Sequence, residues 1–493
     1  MTGGKNWREF AWEAAAALAF CGALQWFARN LLWKLADSTF VLADWDGFRE
    51  VAFAHAFGAV DWVARYLCAM TLAPGGFAAT TALLLLAMTA AFAVRGVPAA
   101  LAAWAPAALF AVPLLNLGDA VWLLRTPHFI HWNLLWFAML AGVAAFAGWK
   151  GFAAAVAFVA AGAVAESIWL DLPAGEVLLC GFGLRPGFTW CGGDYVSIAA
   201  FAALAAAVAA GALPFTPPEK FRRRWALSAR FGAPALTIAL TAALCSSRDC
   251  RDQIEMERLV REHRFEEVLE VAPGKERPER METAWRILAM YRTDRLDRDL
   301  HRYPMVGSYI DTKEEEMIME GPLYLFEYGL VQPSRRWIFE SISVKSWQPD
   351  YLRLLGDGAI VMGEVELAKR NYRQLARCPF RGDHAARRLA ALAAVPPPPN
   401  AFDDLADVAG MHDVWCDHVA RSKTVYFGND RIVERFVYTL FLSLASCPPR
   451  MLKMVFASAL LGGDAEMLKN NREALAKLYP DGRIGPVFLE AMK

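Results

Sequence analysis

Residues 351–379 read YLRLLGDGAIVMGEVELAKRNYRQLARCP, and this stretch carries the clearest helical pattern in the second half of the chain. Small residues recur in it where two antiparallel helices would turn and cross. Gly363 suits the turn, because glycine adopts the left-handed backbone that ends many helices. Ala368 suits the close contact between the two helices, and Tyr372 suits the groove beyond it. The pattern is carried by Leu355, Gly356, Ala359, Gly363, Ala368 and Tyr372.

The same pattern recurs along the second half. The turn positions, separated by 31, 35, 34 and then 100 residues, are His263, Asp294, Gly329, Gly363 and Gly463. A period near 34 is typical of helical hairpins that stack and bury a common core. The spacing resembles the tetratricopeptide repeat. The sequence therefore predicts an all-α chain whose second half is a tetratricopeptide-like helical solenoid.

The first half has a different composition. Residues 1–245 hold 28 charged residues, whereas residues 246–493 hold 74. A helix needs about 20 mostly apolar residues to cross the hydrocarbon core of a bilayer. The first half therefore predicts a transmembrane bundle of about seven helices in contact with membrane lipids. The candidate spans are 10–28, 77–94, 97–115, 129–148, 151–170, 194–213 and 226–245.

Basic residues between the candidate spans predict the orientation. The cluster of Lys220, Arg222, Arg223 and Arg224 falls on the same side as the N-terminus when seven spans are counted. Basic loops are retained in the cytoplasm. The sequence therefore predicts a multi-pass protein of the bacterial inner membrane, with a cytoplasmic N-terminus and a periplasmic C-terminal domain.

The segment 51–73 leaves two alternatives open. It is apolar but contains His55, Asp61 and Arg65. Asp61 and Arg65 are four residues apart, so they can pair on one face of a helix. The segment is predicted to be an amphipathic helix at the membrane surface, and the alternative is an eighth span with an internal ion pair.

Four prolines at 396–399 interrupt the helical pattern, because proline cannot continue a helix. The predicted organisation has four parts. They are a transmembrane domain over 1–245, helical repeats over 246–395, a proline linker over 396–400 and a second helical block over 401–493.

Asp44 and Asp46 are the candidate catalytic residues, and His55 follows them. The stretch resembles lipid-dependent glycosyltransferases of the multi-span type, which place acidic residues in their first extracytoplasmic loop. That resemblance implies a membrane-embedded transferase acting on a lipid-linked substrate, with Asp44 and Asp46 as base or metal ligands. The other interpretation of the same residues is a solvated acidic loop.

His412 and Cys416 are candidate metal ligands, because residues four apart share a helix face. A structural metal site needs four converging ligands, and no second Cys/His pair completes this one, so no metal is predicted. Cys180 and Cys191 are the disulfide candidates among nine cysteines, since they share one predicted outer loop rich in Gly and Pro.

Nucleotide-binding and hydrolase motifs are missing from the sequence, so no cofactor is predicted. The 51 basic residues balance 51 acidic ones, which offers no electrostatic case for nucleic acid. Whether the chain is an enzyme is left open by these observations.

The chain resembles an uncharacterised family of bacterial membrane proteins with a tetratricopeptide-like C-terminal region. The resemblance is carried by short motifs at 73–77, 323–341, 478–480 and 488–491. It implies the two-part architecture and no particular activity. The functional prediction is a membrane protein whose helical repeats bind a protein or another envelope component, and the alternative is the transferase.

Overall fold

The computed structural model describes residues 3–53, 57–94, 127–170, 249–304, 314–345, 347–422 and 448–493. Every regular element in these ranges is a helix, and the same ranges contain no strand. The predicted helical character is therefore confirmed for this part of the chain.

The predicted transmembrane bundle is wrong. No helix in the described ranges combines the length and the apolar character that a membrane crossing requires. The helix at the first predicted span begins at Gly3 and includes four charged residues, Lys5, Arg8, Glu9 and Glu13. The predicted spans 97–115, 194–213 and 226–245 lie outside the described residues. The multi-pass topology and the inner-membrane localisation were both inferred from the seven predicted spans. Both predictions are therefore wrong as well.

Two compact units divide the chain. The first comprises residues 1–250, 347–350 and 373–386. The second comprises residues 251–346, 351–372 and 387–493, so it continues across the prolines at 396–399.

Six α-helices lie wholly within the described part of the first unit. α6 bends at Gly148, where φ is 66° and ψ is −160°, so the segments predicted as 129–148 and 151–170 form one interrupted element. Phe20, Phe77, Met88 and Phe137 are buried where α1, α5 and α6 pack. The helices are α1 (Gly3–Phe27), α2 (Arg29–Ser38), α3 (Trp45–Ala52), α4 (Gly58–Ala69), α5 (Gly76–Val94) and α6 (Phe129–Leu170), with a 3-10 turn at Met70–Leu72.

Shorter helices follow from residue 249 onward. They are α7 (Asp249–Arg261), α8 (Phe265–Glu270), α9 (Arg280–Arg292), α10 (Leu296–Asp299), α11 (Glu314–Glu327), α12 (Val331–Lys345), α13 (Pro349–Val361), α14 (Val365–Ala376), α15 (Gly382–Ala393), α16 (Asp403–Ser422), α17 (Pro449–Leu461), α18 (Glu466–Asn470), α19 (Arg472–Leu478) and α20 (Pro486–Ala491). Most are amphipathic and bury one face, as expected for packed hairpins.

Five helix ends of the second unit lie at the five turn positions that the sequence predicts. Each has a positive φ, between 56° and 78°. At the turn between α13 and α14, the N–H of Glu364 donates to the carbonyl oxygen of Ala359 (2.7 Å), and the N–H of Gly363 donates to the carbonyl oxygen of Ile360 (2.9 Å). This is the Schellman pattern, and the same two bonds close the other four ends. The residues at the turns are His263, Asp294, Gly329, Gly363 and Gly463.

A close approach fixes the hairpin of α13 and α14. A Cβ atom placed on Gly356 would lie 2.8 Å from Cζ of the buried Tyr372 ring, so only glycine fits there. The Tyr372 hydroxyl donates to Asp357 Oδ1 at 2.6 Å, which holds the ring in place. Ala359 and Ala368 are fully buried at the same crossing. The small residues of the repeat pattern thus correspond to real interhelical contacts.

One hydrophobic core runs through the second unit. It joins Trp285 and Tyr324, which precede the prolines at 396–399, with Val408, Val455 and Phe488, which follow them. The residues on either side of the proline segment therefore bury apolar surface together.

Candidate functional site

Asp44, the first predicted catalytic residue, is already engaged by two groups. It precedes α3, and its Oδ1 accepts the backbone N–H of Gly47 at 2.8 Å, as a helix N-cap does. Arg377 binds both carboxylate oxygens, at 2.5 and 3.0 Å. The Arg377 hydrogen bonds hold the pKa of Asp44 below its usual range. The Asp44 carboxylate is thus a cap and an ion-pair partner.

In the described residues, no contact joins the side chain of Asp46 to that of Asp44, and His55 cannot be placed. Asp46 lies exposed in the first turn of α3, without an ion pair or a side-chain hydrogen bond in the described ranges. His55 lies outside the described residues. Their predicted roles therefore stay predictions.

A second ion pair lies close to the first in sequence. Arg381 binds Asp37, and the Asp37 side chain is almost fully buried. Burial lowers the pKa of Arg381 to about 10. Sequence reasoning missed both pairs, because Asp37 and Arg381 are 344 residues apart and no local spacing signals the contact.

A buried polar cluster joins α4 to the start of α6. Arg65 Nε donates to Asp61 Oδ2 at 2.8 Å, so the predicted pairing of these two residues is confirmed. The other oxygen, Oδ1, lies 2.8 Å from His128 Nε2. His131 Nε2 is 3.1 Å from the hydroxyl of Thr80, and burial lowers the pKa of His131 to about 3. His131 is therefore neutral at ordinary pH.

Four aromatic side chains form a continuous strip on α3 and α4, called here the aromatic strip: Trp45, Phe48, Trp62 and Tyr66. Successive ring centroids are 5.3 Å apart. Trp45 is 66% exposed. The strip was not predicted from the sequence, although aromatic residues at 45 and 48, and again at 62 and 66, have the spacing of one helix face.

His412 and Cys416, the metal candidates, contact each other but gather no further ligand. Cys416 Sγ lies 3.4 Å from His412 Nε2, and His412 Nδ1 lies 3.3 Å from the carbonyl oxygen of Gly329. Partial burial, followed by the charges of Asp413 and Asp417, raises the pKa of the Cys416 thiol. Across the described ranges, no three His, Cys, Asp or Glu side chains are grouped to hold a metal ion.

The disulfide candidates Cys180 and Cys191 lie outside the described residues. Among the cysteines whose side chains are described, Cys21, Cys68, Cys378 and Cys416 are free thiols. Burial raises the pKa of Cys68 and of Cys378 to about 12, which keeps both thiols protonated and unreactive.

The outward face of α12 forms an open depression of about 530 Å³. Phe339, one of the residues that line it, is 50% exposed. Arg335 pairs with Glu364 at 3.1 Å, and Arg336 pairs with Glu340 at 2.8 Å. The lining residues are Gln332, Arg335, Arg336, Phe339, Glu340 and Ser343.

In its described residues the protein is all-helical, with capped helical hairpins, a largely buried polar cluster, and exposed aromatic side chains at Trp45 and Phe339. The chain belongs to a family of unknown function (DUF6057), whose family model matches residues 77–407, more than half of the chain. The prediction of an uncharacterised family is confirmed by this match. No curated protein and no solved structure matches the chain.

Proposed function

We propose that the chain is a binding protein whose helical hairpins present the outward face of α12 to a protein partner. The observation that carries the proposal is Phe339, a large apolar side chain half exposed among charged neighbours. Exposed aromatic groups with a polar rim are typical of protein interfaces, where a few such side chains supply most of the affinity.

The spacing of the α12 residues supports a helix or an extended segment as the partner. Gln332, Arg335, Phe339 and Ser343 follow one another at intervals of three and four residues, so they form one stripe along the helix. The ion pairs beside the stripe are exposed, and exposed pairs contribute little energy and can exchange partners. We further propose that the hairpins are tetratricopeptide-like, which the shared period near 34 supports.

α12 is held firmly behind this face. Ser334 donates to the carbonyl of Pro322 at 2.6 Å, and a Cβ atom on Gly321 would lie 2.4 Å from Cε3 of Trp337. A rigid helix presents a partner with a surface that needs no reordering, which favours binding. The transferase alternative stays a prediction. The ion pair between Arg377 and the Asp44 carboxylate does not favour it.

Photo-crosslinking in cells that express the full chain tests the proposal. A benzoylphenylalanine at position 339 should yield a discrete crosslinked protein, whereas the same group at position 366, on the exposed face of α14, should not.

Phe339→Ala should weaken binding of the purified partner about tenfold, as for an interface hot spot. Phe380→Ala removes an aromatic group of similar exposure, 52%, and is the matched control. Equal crosslinking at both positions, or none at position 339, would contradict the proposal.

A further inference from the structure

Cys416 is an exposed thiol on α16 that contacts a buried histidine. Its Sγ lies 3.4 Å from Nε2 of His412, one turn earlier on the same helix. Only 8% of His412 is exposed, and it packs inward beside Met411 and Trp415. A thiol within hydrogen-bond reach of a base is the core of an activated nucleophile, provided that a third group orients the base.

The carbonyl group of Gly329 orients the His412 ring. His412 Nδ1 lies 3.3 Å from that carbonyl oxygen, and Gly329 follows α11 with a φ of 75°. A carbonyl oxygen can only accept a hydrogen bond, so Nδ1 carries the proton in the neutral ring and Nε2 keeps its lone pair. The Cys416 thiol therefore donates to Nε2. This arrangement lets a histidine take the proton of a nucleophile.

Packing on both sides of the histidine holds α16 in register with that carbonyl group. Trp415 Nε1 donates to the carbonyl oxygen of Tyr328 at 3.3 Å, and the Tyr291 hydroxyl donates to Met411 Sδ at 2.9 Å. A Cβ atom on Gly329 would lie 2.5 Å from the Met411 Cβ, so glycine permits the close approach of the helix. The base is thus placed by the fold and needs no rearrangement to act.

Negative charge surrounds the thiol. Partial burial raises the pKa of Cys416, and the charges of Asp413 and Asp417 raise it further. The thiol is therefore protonated at rest, and its attack on a reagent depends on a base that removes the proton. The same two carboxylates repel an anionic reagent and attract a cationic one.

We propose that Cys416 and His412 form a thiol–disulfide exchange site for small, positively charged disulfides. His412 Nε2 takes the thiol proton as Cys416 Sγ attacks one sulfur of the disulfide. A bond forms between these two sulfur atoms, the original S–S bond breaks, and the released thiolate takes the proton from His412. The products are a mixed disulfide on Cys416 and one free thiol. The proposal does not depend on the proposed function, because the α12 face involves other residues.

Reaction of the full chain with cystamine tests the proposal, with the rate measured by mass spectrometry of the peptide that carries Cys416. At pH 7 the wild type should form the mixed disulfide at least about tenfold faster than His412→Gln, because glutamine cannot take the proton. Cys378→Ser is the matched control. The Cys378 thiol is buried and protonated, so its loss should leave the rate at Cys416 unchanged.

The pH profile of the wild type tests the base without any substitution. An unassisted thiol below its pKa reacts about tenfold more slowly for each unit by which the pH is lowered, because the thiolate fraction falls by that factor. With His412 as the base, the rate at Cys416 should fall by less than about threefold from pH 8 to pH 7. A fall of about tenfold would overturn the proposal, even if the His412→Gln variant failed to fold.

Charge selectivity tests the class of disulfide. The double variant Asp413→Asn, Asp417→Asn should lower the ratio of the rate with cystamine to the rate with the anionic dithiodiglycolate severalfold, because two carboxylates are lost beside the thiol. The proposal would be overturned by an unchanged ratio, by equal rates in the wild type and a folded His412→Gln variant, or by the absence of a mixed disulfide at Cys416.

Discussion

At the scale of single residues, burial decides the behaviour of titratable groups more than their identity does. His128 and His131 are three residues apart; His128 directly precedes α6, and His131 lies in the first turn of that helix. His128 contacts the carboxylate of Asp61, whereas His131 lies buried beside Thr80, and its pKa is lowered to about 3, first by burial and then by the charge of His128. Two similar residues thus have different chemistry because their surroundings differ.

His131 predicts an acid-sensitive stability. The unfolded chain takes up a proton on His131 near pH 6.5, but the folded chain does not until about pH 3. The unfolded state therefore binds more protons between these values, and stability falls as the pH is lowered through that window, by up to about 5 kcal/mol. Urea unfolding from pH 7 to pH 4 should show this decline in the wild type and a flatter profile in His131→Gln.

His301→Gln is the control for that experiment, because His301 is exposed. Its profile should follow the wild type. If His131→Gln lost stability with the same slope as the wild type, His131 would not be the group that senses acid.

Sequence reasoning found the residue contacts that are local. Asp61 and Arg65 pair as their spacing predicts, because residues four apart always share a helix face. The same reasoning could not find that Asp44 is bound by Arg377, which lies 333 residues away. His412 and Cys416 contact each other, as residues four apart on a helix can. The contact between His412 Nδ1 and the carbonyl oxygen of Gly329 depends on the fold.

At the scale of elements, the helix ends of the second unit were predictable. His263 and Asp294 adopt the same left-handed backbone as the three glycines, and His and Asp are among the few other residues that tolerate it. The period near 34 identified them without any tertiary information. A turn depends on only a few neighbouring residues, so its signal is present in the local sequence.

The crossing of α13 and α14 gives a stability prediction. Ala368 is fully buried there, so Ala368→Leu should force a larger side chain into a packed contact and cost about 1–3 kcal/mol. Glu366→Ala on the same helix should change stability by less than about 0.5 kcal/mol, because the Glu366 side chain is 79% exposed and its pair with Lys369 is a surface pair. Urea unfolding of the full chain measures both.

Equal effects of the two variants would mean that the register of the hairpin is wrong. A large effect of Ala368→Leu alone would support it, since a hairpin array is stabilised by contacts between neighbouring helices.

At the scale of the whole molecule, long-range ion pairs complete the first unit. Asp37 and Arg381 meet across 344 residues, and Arg377 adds a backbone contact by accepting the N–H of Ala43 at 2.9 Å. A buried pair of this kind is costly to break from one side, because the remaining charge stays buried. Arg377 and Arg381 both lie in the segment 373–386, which belongs to the first unit.

A double-mutant cycle on Asp37→Asn and Arg381→Met tests that contact. The coupling energy should be about 0.5–3 kcal/mol, the range for residues in direct contact. The cycle on Arg336→Met and Glu340→Gln, an exposed pair on α12, should give a coupling near zero. Additive effects of the two changes at Asp37 and Arg381 would show that the pair contributes no energy of its own.

The transmembrane prediction failed at this largest scale. It rested on counting apolar residues in windows, and the first predicted span shows the weakness of the method, since its helix extends back to Gly3 through four charged residues. Apolar residues such as Phe77 and Met88 are buried against neighbouring helices of the first unit. A window count does not distinguish apolar residues that face lipid from those that face other helices.

The helical class of the described residues, the turns at the five hairpin ends and the pairing of Asp61 with Arg65 were all predictable from the sequence, because each depends on residues close together in the chain. The pairing of Arg377 with Asp44 and the contact between the aromatic residues of α3 and α4 depend on the tertiary fold. Those contacts depend on which helices pack together. Packing is a property of the whole chain, and no local spacing encodes it.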